Sequence, residues 1–171
     1  MNDIEKELIN DLIAKRISLE EFLIKYPIDL EHDREYVISL LEHALEAKDS
    51  EDVEYGIWLF SLKEEVQGTL KERYVSVFCK LLGEPWHYQH ENIVSLLQEL
   101  KAPQSVDALY TAIFSHFKYL DYDDSFSLAR KCIHALGDIN TAYSREKLTL
   151  LTSSDIPIIR EKAQKQLNYK R

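Results

Sequence analysis

Glycine and proline are scarce in this chain, with four of each in 171 residues. Tight hairpin turns draw on both residue types, so the shortage argues against a sheet protein and for helices. Cysteine is scarcer still: only Cys79 and Cys132. Both fall at apolar helical positions, where they read as small buried thiols of a reducing cytoplasm rather than as a disulfide pair. No apolar run approaches the ~18 residues that a membrane helix needs, so no membrane partner is expected. The opening MNDIEKELIN carries acids and leads into no long apolar core, so it is not expected to be a signal peptide. A basic stripe is also missing from a chain of net charge −9. No nucleic-acid partner is expected, because a phosphate backbone is gripped by Lys and Arg.

What is present is an ordinary globular mixture, 45% hydrophobic and 30% charged, in a length that buries about 70% of the unfolded chain's surface. The charge is uneven. Residues 1–124 hold 12 Lys/Arg against 26 Asp/Glu, whereas residues 125–171 hold 9 against 4. The acidic three-quarters suits a basic partner. The basic end, meeting the acidic surface of a second copy, gives a route to weak self-association.

The chain repeats itself about every 36 residues. At that offset Tyr74, Val77, Phe78 and Leu81 fall on Tyr110, Ile113, Phe114 and Phe117, while Ile93, Leu96, Leu97 and Leu100 fall on Ala129, Cys132, Ile133 and Leu136. An offset of 37 carries the pattern back to Val37, Leu40, Leu41 and Ala44, and to Gly56, Leu59 and Phe60. Each set has the i, i+3, i+4, i+7 spacing of one helix face. The units read as helix pairs: 34–47 with 51–66, 70–82 with 88–101, 105–118 with 126–137, and a shorter 143–152 with 156–168. Capping-box spacing at Thr69–Glu72, Pro157 in a first turn, and Gly83 and Gly137 at helix ends support these bounds. A helical hairpin, 3–15 and 19–26, precedes them. Ser18–Glu21 opens its second helix as another capping box, and Pro27 stops it. Its stripe of Ile4, Leu8, Leu12 and Ile13 should cover the end of the array.

Residues 127–167, "SLARKCIHALGDINTAYSREKLTLLTSSDIPIIREKAQKQL", resemble HEAT repeats of the bacterial HEAT-like type. The resemblance is carried by Arg130-Lys131, Cys132 and Ala135-Leu136-Gly137, then by Arg160 and Ala163 in the next unit. Pro85 to Leu100 looks like a segment of small bacterial HEAT-like proteins. The resemblance implies one domain over residues 1–171, an all-α, right-handed α-solenoid of about four helix pairs (31–171) behind the N-terminal hairpin (1–30).

Chemistry is concentrated in one place, Trp86-His87-Tyr88-Gln89-His90. In register it meets Tyr122-Asp123-Asp124 and Asp49-Ser50-Glu51, all in turns between the helices of a pair. His87 and His90 are three apart and could share a face with Glu91, with Asp121, Asp123 and Asp124 across the stack. Zinc needs three or more ligands with second partners to orient them. Two His without Cys or His-Glu-x-x-His spacing do not meet that need, so no metal is expected. Trp86 and Tyr122 read instead as caps on the inter-helix core, and the two His as partly solvated residues at a helix start. Asp121-x-Asp123-Asp124 lacks the Gly and distal Glu of a calcium loop and reads as a solvated acidic turn. There is no phosphate loop, and His116 and His134 have no partner at relay spacing. No cofactor is expected.

The second helices of such pairs line an extended surface. Here that surface should show Glu54, Trp58 and Ser61, then Glu91, Ser95 and Gln98, then Ser127, Lys131 and His134. The turns add an acidic edge of Asp49, Glu51, Asp52, Glu84, Asp121, Asp123, Asp124 and Asp155. The expected function is a non-enzymatic, cytoplasmic protein-interaction module for a basic partner. The expected contact residues are Trp58, Trp86, His87, His90, Glu91, Asp121, Asp123, Asp124, Lys131 and His134. Trp58 has two readings, a partner anchor or a residue covered by the hairpin. The HEAT-like resemblance implies an immunity- or antitoxin-like role as a special case. It also implies, as an alternative, an enzyme or accessory factor such as a bilin lyase; a DNA glycosylase fits the acidic charge poorly.

Overall fold

A computed structural model describes residues 1–30, 32–33, 35–62, 66–120 and 125–169. Among these residues there are ten α-helices and no strands. The helices are α1 Asp3–Ile13, α2 Leu19–Lys25, α3 Tyr36–Ala47, α4 Ser50–Ser61, α5 Gly68–Leu82, α6 His90–Leu100, α7 Val106–Ala112, α8 Ser127–Ile139, α9 Ala142–Leu151 and α10 Pro157–Asn168. They group into two compact units, Met1–Leu70 and Lys71–Arg171. The hairpin α1–α2 therefore belongs with the first helix pair, α3–α4.

Helix starts follow local chemistry. Ser18 and Glu21 form the expected capping box of α2, and Pro157 occupies the first turn of α10, where its missing N–H leaves nothing unpaired. Asn2 with Glu5, and Thr141 with Ser144, cap α1 and α9 in the same reciprocal way. Asp49 caps α4 by accepting from the amides of Glu51 and Asp52. Helix ends depart from expectation at the glycines. Gly137 lies inside α8, which runs on to Ile139, and the left-handed residue that stops it is Asn140. Gly83 follows α5 without adopting positive φ. The left-handed caps of α3 and α6 are Lys48 and Lys101. Thr69 lies within the first turn of α5, which begins at Gly68 with φ +63°.

In the first unit, Ile9, Phe22, Val37, Ile38, Leu41, Val53 and Leu59 form the core. The stripe on α1 is rotated from the expected one. Glu5 and Ile9 face inward, whereas Ile4 and Ile13 remain exposed. Polar contacts tie α1 to α4: Lys6 bonds Glu51, the Met1 ammonium meets Asp52 at 2.7 Å, and Asn10 donates to the Tyr55 hydroxyl at 2.9 Å. Helices α3 and α4 pack at Gly56, where an added Cβ would stand 2.6 Å from Leu41 Cδ2 and 2.9 Å from its Cγ. Leu41 is fully buried, so its side chain gives way only by pressing on packed neighbours. Gly56→Ala should therefore lower stability by about 1–3 kcal/mol despite alanine's better helix propensity, as read by urea denaturation. A stabilised variant would show that the α3–α4 contact is looser than described.

In the second unit, α8 is central, packing against α6, α7, α9 and α10, while α9 packs on α10 and α7. Apolar positions picked out by the 36-residue spacing do face inward here: Val77, Phe78, Leu81, Ile93, Leu96, Leu97, Cys132, Ile133 and Leu136 are all buried. One expected helix is cut short. Instead of running over 105–118, α7 ends at Ala112. Phe114 and Ser115 then bond three residues back, to the carbonyls of Thr111 and Ala112, and a 3-10 turn follows at Lys118–Leu120. Phe114, which the register makes the equivalent of the buried Phe78, is 47% exposed, while Phe117 is buried. The break lets Phe117 lie on the His90 ring, with centroids 3.6 Å apart.

Candidate functional site

The loop Gly83–Gln89 leaves α5 and enters α6, and both of its histidine neighbours point inward. His87 and His90 are 0% exposed, against the expectation of partly solvated rings. Their rings stack at 4.3 Å and 19°. His87 Nε2 donates to the Leu81 carbonyl at 2.8 Å, and its Nδ1 accepts from the Gln89 amide at 3.1 Å. His90 Nε2 donates to the Glu84 carbonyl at 2.8 Å, and its Nδ1 accepts the Tyr119 hydroxyl proton at 2.8 Å. Every ring nitrogen is occupied in a neutral tautomer, so neither histidine has a lone pair to give a metal or a surface to give a partner. Burial lowers the pKa of both. For His90, the neighbouring His87 adds to that effect and the value falls to about 4. Trp86 is half-buried, stands edge-on to His87, and donates from its indole to Glu84 at 2.7 Å. Tyr88 is exposed and stands edge-on to Tyr119. The motif is an aromatic column that ties the α5–α6 loop to the segment after α7. Among the described residues, no three His, Cys, Asp or Glu side chains converge as metal ligands.

The second helices of this unit carry a polar ladder. Lys131 of α8 meets Glu91 of α6 at 3.4 Å, and one heptad on, Gln98 of α6 bonds Asp138 of α8. On the other side Gln166 of α10 donates to His134 Nδ1 at 2.9 Å. The register sets Glu91 beside Ser127 and Gln98 beside His134, so the observed partners lie one helical turn further along. Glu91, Lys131 and His134, three of the expected contact residues, are thus brought onto one face and half-exposed. Burial is the main cause that lowers the His134 pKa; Lys162, Lys165 and Arg130 lower it further and Asp138 opposes them.

Trp58 belongs to the first unit. It is half-buried and stands edge-on to Phe22 of the hairpin, with centroids 6.1 Å apart, which favours the reading that the hairpin covers it. The acidic edge is partly spent on structure. Asp49 is a cap, Glu51 and Asp52 pair with α1, and Glu84 holds Trp86. Asp121, Asp123 and Asp124, with Tyr122, lie outside the described residues.

Sequence reasoning missed a different surface. On α2, LEEFLIK, Leu19 is 48%, Leu23 39% and Ile24 77% exposed, leaving Phe22 as the buried side chain. Leu19 and Leu23, one turn apart, share a face flanked by the exposed Glu20 and Glu21. Four apolar residues, Leu19, Phe22, Leu23 and Ile24, in a helix of seven were the available signal. No family model, no curated protein and no solved structure matches this chain.

Proposed function

We propose that the chain is a non-enzymatic protein-binding module, an α-solenoid of about four HEAT-like helix pairs behind an N-terminal hairpin, whose acid-rich first unit takes a basic protein partner. The observation that carries this reading is the uncovered Leu19–Leu23 face of α2, with Ile24 beside it, set among Glu20 and Glu21. Single exposed apolar residues are common on any surface. Here they dominate a short helix in a region with 18 Asp/Glu against 7 Lys/Arg over residues 1–70. An apolar strip with an acidic border suits an amphipathic basic segment, whose charges speed encounter while its apolar side chains supply affinity. The histidines, the chain's most reactive-looking cluster, are consumed by internal hydrogen bonds. A cytoplasmic immunity- or antitoxin-like protein, with a basic toxin as partner, is the narrower form of the proposal.

The test is comparative capture from source-cell extract by the full chain, with partners identified by mass spectrometry. Wild type should retain a protein of basic isoelectric point. Leu19→Asp with Leu23→Asp should lose it while helical circular dichroism is kept, and Glu91→Gln on α6 should not. A partner retained by the α2 variant, or one that is acidic, overturns the reading.

A further inference from the structure

Three of the nine bases of the C-terminal quarter gather around one histidine. Around His134 on α8 stand Arg130, one turn earlier on the same helix, and Lys162 and Lys165 of α10, all close enough for their charges to act on its ring. Helices α8 and α10 pack directly, and Gln166 anchors the His134 ring between them. Lys131 is paired with Glu91, but Arg130, Lys162 and Lys165 have no carboxylate partner among the described residues. Like charges held this close repel one another, and an acidic surface laid over them would relieve the repulsion.

The chemistry of the face selects among acidic partners. Asp138 of α8 and Glu161 of α10 stand on the same helices as these bases, and Glu91 of the neighbouring α6 pairs with Lys131, so a uniform line of phosphates would meet carboxylates as well as cations. Discrete carboxylates interspersed with cations fit better, and the chain carries such a surface itself. Residues 1–70 hold 18 Asp/Glu and 7 Lys/Arg, whereas residues 71–171 hold 12 and 14. We propose that the α8–α10 face of one copy docks on the acidic first unit of a second copy. This rests on the reading that the first unit binds a basic protein surface, and it names one such surface.

Sedimentation velocity on the full chain tests it, from about 20 mM to about 500 mM NaCl, a range over which screening shortens from roughly 20 Å to below 5 Å. Wild type should associate reversibly at low salt and dissociate as salt rises. Lys162→Glu with Lys165→Glu should weaken association on the order of tenfold or more, with helicity and melting unchanged, and so should Glu7→Lys with Glu20→Lys. Mixing the two variants should restore association, because each supplies the face that the other has lost. A chain that is monomeric at every salt overturns the proposal. So does association that ignores salt and both variants, or a mixture that stays monomeric. Any of these leaves the α2 surface to stand or fall by the effect of Leu19→Asp with Leu23→Asp on capture.

Discussion

Lowering the pH from 7 to 4.5 should cost the protein most of about 3 kcal/mol through His90 alone. In the folded chain this ring is buried and neutral, with a pKa of about 4. In the unfolded chain it titrates near 6.5, about 2.5 units higher at about 1.4 kcal/mol per unit. Between those values the unfolded chain binds the extra proton, so stability is complete above pH 6.5 and is lost as pH falls toward 4. The structure gives the reason. Protonated Nδ1 could no longer accept from Tyr119, and a charge would appear against the stacked His87, whose own pKa is lowered chiefly by burial. Urea midpoints measured at intervals of pH should show this slope. His90→Phe should be less stable at pH 7, because it leaves the Glu84 carbonyl and the Tyr119 hydroxyl without their ring partner, yet its stability should vary less between pH 6.5 and 4. Equal slopes for both proteins would remove His90 as the source.

Ile133→Ala should lower stability by about 2–5 kcal/mol, the range for truncating a large aliphatic side chain in a core that cannot collapse around the gap. Ile133 is 0% exposed and sits on α8, the helix that touches α6, α7, α9 and α10. Leu96→Ala, on α6 with a slight exposure, should fall toward the lower end of the same range. Because the chain forms two compact units, the loss should appear in the melting of the second unit. Hydrogen exchange should quicken in α6 to α10 before α3 and α4. A loss below about 1 kcal/mol for Ile133→Ala would mean that α8 is not the centre of that unit.

The helices were legible because two independent signals coincide in them. Apolar residues recur at the helical period, and caps such as Ser18–Glu21 and Pro157 mark the same ends. The end of α7 was not legible. Phe114 and Phe117 are three apart, the spacing of a continuing helix face, and what draws Phe117 away is the ring of His90, distant in sequence. Tertiary contact overrides local periodicity there. The burial of His87 and His90 was hidden for a related reason. Their partners are the carbonyls of Leu81 and Glu84 at and beyond the last turn of α5, groups that every residue carries and no sequence displays. The polar register positions of Glu91 on α6, and of Lys131 and His134 on α8, are half-exposed. That they would meet side chains of neighbouring helices depends on a one-turn stagger that the repeat length does not encode. On α1, Glu5 turns inward in place of Ile4 because its carboxylate closes a capping box with Asn2, a use for a buried acid that a hydrophobic count overlooks.

The two thiols have a practical consequence. Cys79 is half-buried with its pKa pushed up to about 11, and Cys132 is fully buried with its pKa raised by the same loss of water. At pH 7 roughly one Cys79 in ten thousand is thiolate, the form that attacks maleimides, against a few per cent of an ordinary exposed cysteine. A dye-accepting cysteine introduced at an exposed helical position such as Glu54 would therefore react far ahead of both native thiols. Fluorophores and spin labels can be attached at a chosen site without first replacing either cysteine, which keeps the α8 core around Cys132 intact during the measurement.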